Sequence, residues 1–320
     1  MDQHHTDVGN FSPTSLNHII GQRSVVDQVG VPLEAAFADG RKFDHALLTG
    51  PPGCGKSALA AVIGREMAAN VHEVLAQSIE GPADLNAVLL RARAKDVVFL
   101  DEAHMLSKDH QTALYLALDK RTVYANGPKS VQAIPLADFT LLLASTDEYA
   151  ILEPLRDRCR LLLRFQHYAD DDLTLIVRHR AKALAWEVAG EVPPFIAVRA
   201  TGTPRLALRL LQACRRVCRA DGEWLITRRH LERACQLENL DRLGLGPVEQ
   251  QYLRLVSDRP LRLNVLASLL GLPARTVSHV TEPTLIRLGL VSKDNGGRRV
   301  LTPRGHEHLS QQDGNQPVGL

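Results

Sequence analysis

The strongest chemical signal in this 320-residue sequence is Gly50-Pro51-Pro52-Gly53-Cys54-Gly55-Lys56-Ser57, which satisfies G-x-x-x-x-G-K-[ST]. It follows the apolar run Ala46-Leu47-Leu48-Thr49 and opens a helical pattern from Ser57 to Ala69. The mechanism needs that context, because glycines let backbone N–H groups close round a phosphate and the helix start adds favourable partial charge. Lys56 then neutralises the outer phosphates and the Ser57 hydroxyl binds Mg2+. A second signal is Val97-Val98-Phe99-Leu100 ending on Asp101-Glu102. An acidic pair after an apolar run is usually a solvated loop. Beside a phosphate loop, Asp101 can hold hydrated Mg2+ while Glu102 activates a water.

Phosphoryl transfer also needs polar groups that align the water and a cation near the terminal phosphate. Ser145 and Thr146 follow the apolar run Phe139 to Ala144 and offer short hydroxyls at a strand end. Arg156 and Arg158 lie in Pro154-Leu155-Arg156-Asp157-Arg158-Cys159, and Arg205 follows Gly202-Thr203-Pro204 in the first turn of a helix. An arginine there opposes the helix dipole, and a nearby phosphate resolves the conflict. Taken singly, such arginines are mostly surface residues.

The elements that must position these residues fall into three segments. Residues 1–165 alternate short apolar runs with helical patterns, which predicts an α/β domain with a buried parallel sheet. From 166 to 241 the strand signals stop and apolar residues recur at helical spacing, as in Leu206, Leu210 and Leu211, predicting a small helical bundle. Residues 242–309 read as three helices and then two β-like runs, Leu290–Lys293 and Arg299–Thr302, around Asp294-Asn295-Gly296-Gly297. That is the order of a winged helix. The polar stretch 310–320 is expected to be a disordered tail.

Apolar residues make up 45% and charged residues 23%, an ordinary globular balance, and no apolar run is long enough for a membrane span. The polar N-terminus carries no signal-peptide pattern, and five scattered cysteines fit a reducing compartment, so a cytoplasmic location is expected. Cys214 and Cys218 lie one helical turn apart, which reads as helix packing rather than a metal site. Net charge is only +2, but residues 242–320 hold ten Lys and Arg against six Asp and Glu. A basic winged helix suits contact with DNA phosphates through Lys293, Arg298, Arg299 and Arg304. The competing reading is a protein-interaction module.

From about Ser15 to Leu309 the chain resembles the RuvB family of Holliday-junction branch-migration motors, which are AAA+ P-loop ATPases. The resemblance rests on the two phosphate-site segments, on Ile19-Ile20-Gly21-Gln22, Leu155-Arg156-Asp157-Arg158 and Gly202-Thr203-Pro204-Arg205, and on Glu282-Pro283, Thr302-Pro303 and Glu307-His308-Leu309. It implies an AAA+ domain, a helical lid and a C-terminal winged helix. Ile19 and Ile20 would border the adenine, and residues 50–57 with Asp101 would bind ATP and Mg2+. Glu102 would activate water, Thr146 rather than Ser145 would be sensor 1, and Arg205 sensor 2. Arg158, with Arg156 as the lesser candidate, would be an arginine finger reaching into the neighbouring subunit. The family works as a hexameric ring on junction or duplex DNA with a RuvA partner. The sequence departs from the family at Asp147-Glu148-Tyr149, where Arg-Ala-Gly is usual, and at Cys54, where Leu is usual. Residues 118–139, where the family has its RuvA-docking hairpin, look several residues shorter, although the alternation of Ser130–Ile134 allows a reduced hairpin.

The leading expectation is therefore an ATP-driven DNA translocase whose ATPase responds to DNA. The alternative is an AAA+ ATPase that remodels a protein partner and ignores DNA. A nucleotide-gated scaffold without catalysis is the third, and the joint presence of Lys56, Asp101, Glu102, Arg158 and Arg205 argues against it.

Overall fold

The computed structural model describes residues 13–126 and 131–313. Two compact units emerge, one of residues 1–183 with 202–205 and one of 184–201 with 206–320.

The first unit is built on five parallel strands. These are β1 (Ala46–Thr49), β2 (Val71–Leu75), β3 (Val97–Asp101), β6 (Thr140–Ser145) and β7 (Leu161–Arg164), in the spatial order β2-β3-β6-β1-β7. A separate antiparallel ribbon pairs β4 (Thr122–Asn126) with β5 (Val131–Pro135), from Thr122 opposite Pro135 to Asn126 opposite Val131. The helices of this unit are α1 (Arg23–Ala38), α2 (Lys56–Glu66), α3 (Pro82–Arg91), α4 (Lys108–Lys120), the single turn α5 (Glu153–Arg156) and α6 (Asp170–Ala183). The sheet has an apolar layer on each face, Leu47, Val98, Leu100, Leu141 and Leu143 on one and Ala46, Leu48, Phe99, Leu142 and Ala144 on the other. Burial on both faces is why the central strands read as unbroken apolar runs. By packing, α6 and the Gly202–Arg205 segment group with the sheet.

The second unit contains α7 (Val192–Arg199), most of α8 (Pro204–Ala220) and α9 (Arg228–Leu237). Pro204 occupies the first position of α8, where its missing N–H costs nothing. This segment is not wholly helical: β8 (Glu187–Val188) and β9 (Leu225–Ile226) form a two-residue parallel pairing too short to leave a period in the sequence. Cys214 and Cys218 are fully buried along α8, and burial pushes both thiols above their ordinary pKa.

The winged helix follows as α10 (Pro247–Asp258), α11 (Leu263–Leu270) and a helix running from α12 (Ala274–Thr276) through a wide turn at Val277–Thr281 into α13 (Glu282–Arg287). The wing is β10 (Val291–Lys293) paired antiparallel with β11 (Arg299–Leu301). Asp294 closes its turn by accepting hydrogen bonds from the Gly296 and Arg298 N–H groups at 2.9 and 2.8 Å. The final helix α14 (Pro303–Asp313) carries the fold past Leu309, so residues 310–313 are helical rather than tail; residues 314–320 lie outside the described residues. Among the described residues no helix is long and apolar enough to cross a membrane.

Candidate active site

The parallel register brings the chemistry-bearing residues to one edge of the sheet. Thr49 pairs with Ser145 at the carboxyl ends of β1 and β6, and Asp101 ends β3 beside them. Between β1 and α2 the loop turns through left-handed backbone at Gly50 (φ 133°) and Gly53 (φ 74°). A Cβ at Gly50 would come within 2.4 Å of the Phe165 carbonyl oxygen, and one at Gly53 within 2.9 Å of Arg205 Cβ. Only glycine meets both demands at these positions.

Lys56 is 7% exposed, and its ammonium donates to the carbonyls of Gly50 at 2.8 Å and Pro51 at 3.0 Å. Burial lowers its pKa, an effect opposed by the nearby carboxylates of Glu102 and Asp101. The Ser57 hydroxyl lies 3.4 Å from Asp101 Oδ2, a spacing at which a hydroxyl and a carboxylate can share one cation. The Asp101 Oδ1 atom accepts the Glu102 N–H at 2.9 Å, which fixes the carboxylate's orientation. A glycine-walled cradle, a buried ammonium and a hydroxyl–carboxylate pair fit a nucleotide triphosphate with Mg2+. A Mg2+–nucleotide bound there would supply the phosphoryl group, and Lys56, Ser57 and Asp101 are the residues that would hold it.

Glu102 itself has left-handed backbone (φ 53°), unusual for a residue with a side chain. Its Oε2 lies 3.4 Å from His104 Nε2, and His104 Nδ1 lies 3.4 Å from Ser145 Oγ. His104 therefore ties Glu102 to the end of β6. Ser145 is fully buried, and its hydroxyl donates to the Asp147 carbonyl at 2.7 Å, whereas Thr146 is exposed. The departure at 147–149 has a local account. Asp147 caps the following turn by accepting from the Tyr149 and Ala150 N–H groups. Glu148 takes a two-pronged bond from Arg164 at 3.0 and 2.9 Å, which holds its carboxyl below the usual range despite partial burial.

Arg205 meets the phosphate loop directly. Its N–H donates to the Gly53 carbonyl at 3.4 Å, and the space beside Gly53 is bounded by Arg205 Nε. Tyr168 is a residue that sequence reasoning missed. Its hydroxyl donates to the Cys54 carbonyl at 3.3 Å, and its ring lies against Gly21, so it joins the Ile19–Gln22 segment to the phosphate loop. Burial pushes its hydroxyl up to about 12. Ile19 and Ile20 are half-buried at this end of the first unit, and Ile19 packs on the Leu48–Phe99 side of the core.

Arg158 is engaged elsewhere. It donates to Asp119 at 3.0 and 2.6 Å and to the Pro154 carbonyl at 2.7 Å, and it stacks 5.2 Å from the centre of the Tyr115 ring. Arg156 lies over the Tyr149 ring at 5.5 Å. Neither arginine is drawn to the phosphate loop or to Asp101-Glu102 of its own chain by these contacts.

The basic residues of the winged helix divide. Lys293, Arg298 and Arg304 are exposed. Arg299 is not a surface contact: it is 8% exposed and bonds through Nε and Nη2 to the buried Glu282 at 2.5 and 3.2 Å. An arginine drawn inward to neutralise a buried carboxylate cannot also reach DNA.

Comparison with known proteins matches three successive domains between residues 11 and 310. Residues 11–165 match the Holliday junction DNA helicase RuvB P-loop domain, 168–241 the RuvB AAA lid domain and 242–310 the RuvB C-terminal winged helix domain. A Holliday junction branch migration complex subunit RuvB from Kosmotoga olearia is 34% identical over 305 residues, covering 93% of this chain and 89% of that protein. The chain belongs to the RuvB family. Solved RuvB structures from Thermotoga maritima agree in fold. A point mutant of that RuvB, with glycine in place of a proline, superposes with a TM-score of 0.83 at 31% identity, covering 94% of this chain and 99% of that one. The structure described as the Holliday junction branch migration motor gives 0.80 at 31% identity, covering 93% and 98%. An AAA+ ATPase with lid and winged helix is thus the architecture of this RuvB-family chain.

Proposed function

We propose that this chain is an ATP-driven translocase that moves DNA through four-way junctions by branch migration, acting as a homohexameric ring with a RuvA-like partner. The observation that carries the reading is the union, on one chain, of a full set of phosphate-site residues with a winged helix bearing exposed Lys293, Arg298 and Arg304. Lys56 and Ser57 hold the phosphates and Mg2+, Asp101 the metal, and Glu102, braced by His104, the attacking water. Thr146 and Arg205 act as the two sensors, and Arg158 reaches the site of the next subunit. In that arrangement hydrolysis depends on assembly, because a finger supplied in trans is worth about 10³–10⁵ in rate. The exposed basic residues contact phosphates without reading sequence, as sliding requires. We assign the RuvA-like partner to the β4–β5 ribbon, which is paired from Thr122 opposite Pro135 to Asn126 opposite Val131.

The test is the steady-state ATPase rate with and without a synthetic four-way junction, at low and moderate salt. Stimulation that fades with salt supports the translocase. A robust rate that ignores both DNA and a RuvA partner replaces it with a protein-remodelling ATPase.

A further inference from the structure

A polar cavity lies at the opposite end of the sheet from the phosphate loop. Its wall includes His45, Phe139 and Arg160, which immediately precede β1, β6 and β7, and its volume is about 290 Å3. Arg121 and Leu136, which flank the β4–β5 ribbon, close another side. The charges are unequal. Arg41, Lys42, Arg121 and Arg160 line the cavity against two carboxylates, Asp44 and Asp138, and a third, Asp39, bonds Arg41 Nε at 3.3 Å from outside the lining, so four cations meet three carboxylates. Each lining carboxylate presents a single oxygen to two cations. Asp44 Oδ1 lies 3.5 Å from Arg41 Nη1 and 3.2 Å from Arg160 Nη1. Asp138 Oδ1 lies 3.3 Å from Arg121 Nη2 and 4.0 Å from Lys42 Nζ.

The histidine adds an independent mark. The Leu141 N–H donates to His45 Nδ1 at 2.8 Å, so the neutral ring carries its proton on Nε2. Burial and the neighbouring Lys42 keep that ring neutral by lowering its pKa to about 3. Nε2 faces Lys42 Nζ at 3.4 Å, which sets one donor against another. Two donors side by side, in a wall with more cations than carboxylates, suit an acceptor atom on the cavity side that takes a hydrogen bond from both.

We propose that this cavity binds a phosphate-type oxyanion, held by Arg41, Lys42, Arg121 and Arg160 with the His45 Nε2–H as a neutral donor. Cations arriving from three separate chain segments suit a tetrahedral group with several oxygens better than a planar carboxylate. The site lies at the other end of the strands from the phosphate loop and Asp101-Glu102 and does not depend on their assignment.

The experiment uses the full chain saturated with Mg2+ and a non-hydrolysable ATP analogue, so that the phosphate loop is occupied. Inorganic phosphate is titrated by calorimetry at ionic strength held constant with chloride. The expected result is saturable binding at one site, weakened at least about tenfold in Arg121→Gln/Arg160→Gln, since each lost charge-assisted bond is worth about a decade or more. These arginine side chains are 66% and 76% exposed, so the variant should melt like the parent in chloride. Equal affinity in parent and variant, or no saturable heat, overturns the proposal, as does an oligoglutamate peptide binding more tightly than phosphate. Displacement of phosphate by short duplex DNA in the parent alone assigns the oxyanion to a DNA backbone. Binding that duplex leaves untouched assigns it to free phosphate.

Discussion

Replacing Arg299 with methionine should destabilise the winged helix while leaving the phosphate contacts of its surface in place. Glu282 is 1% exposed, and its carboxylate is held by Arg299, by the Tyr252 hydroxyl at 2.9 Å and by Lys293 at 3.4 Å. Arg299→Met keeps most of the side-chain volume but strands a buried charge, a loss of about 3–5 kcal/mol when nothing takes over. Lys293, half-exposed, can move closer, which places the expected loss near the lower figure, about 3 kcal/mol. For a domain of this size each kcal/mol moves the melting point by about 4–8 °C, so the winged-helix transition should fall by roughly 10–25 °C. Hydrogen exchange of winged-helix amides, followed with temperature, separates that transition from the ATPase unit. Glu282→Met/Arg299→Met should recover most of the loss, because an apolar pair of similar volume avoids the desolvation cost. The acid limb gives a second check. Burial raises the Glu282 carboxyl, but its bonds to Arg299 and Tyr252 outweigh this and leave it below its ordinary value of 4.5. Its stabilisation is therefore present above that value and lost as pH falls through the lower folded one. In Arg299→Met that bond is gone and burial alone acts on Glu282, so the variant's deficit against the parent should be largest near neutral pH and shrink as acid neutralises the carboxyl. A variant that melts like the parent, yet loses DNA affinity as Arg298→Ala does, would refute the inward role.

Three further outcomes follow from the site. Glu102→Gln should keep nucleotide binding, read with a fluorescent ATP analogue, and cut turnover by about 10²–10⁴-fold, the usual worth of a general base; undiminished hydrolysis removes Glu102 as the water activator. Arg158→Ala should hydrolyse poorly alone and recover activity when mixed with Lys56→Ala subunits, since each supplies what the other lacks; no recovery in assemblies shown to be mixed rejects a finger in trans. Arg298→Ala/Arg304→Ala should make the slope of log K against log salt less negative by about 1.8, two contacts at about 0.9 each, and an unchanged slope takes both residues off the DNA.

What could be read in advance tracked how local the physics is. The phosphate loop and Asp101-Glu102 were legible because their chemistry demands contiguous residues after a strand. The strands read from sequence, β1, β3 and β6, are the three central ones, buried on both faces. The two edges gave less. In β2 exposure alternates from Val71 to Leu75, and β7 is three leucines and an arginine, so neither leaves a long apolar run. His104 and Tyr168 carried no signal of their own, because their partners Ser145 and Cys54 lie 41 and 114 residues away.

Arg299 shows why charge counting fails at single residues. Four basic side chains within twelve positions of a wing have the same composition whether they face solvent or core. What separates Arg299 is strand parity together with a glutamate at the start of α13. In the hairpin, Lys293 pairs with Arg299 and Val291 with Leu301, while exposed Arg298 sits in the turn beyond the last pair. The carboxylate that draws Arg299 inward comes from 17 residues earlier, on a different element. Glu282 opens that helix, where its charge favours the helix dipole, and so a surface reading of it is equally natural from sequence. Only the closure of the hairpin over α13 turns two ordinary charged residues into a buried pair. The basic surface that remains, Lys293, Arg298 and Arg304, is thus held in shape by the arginine that does not belong to it.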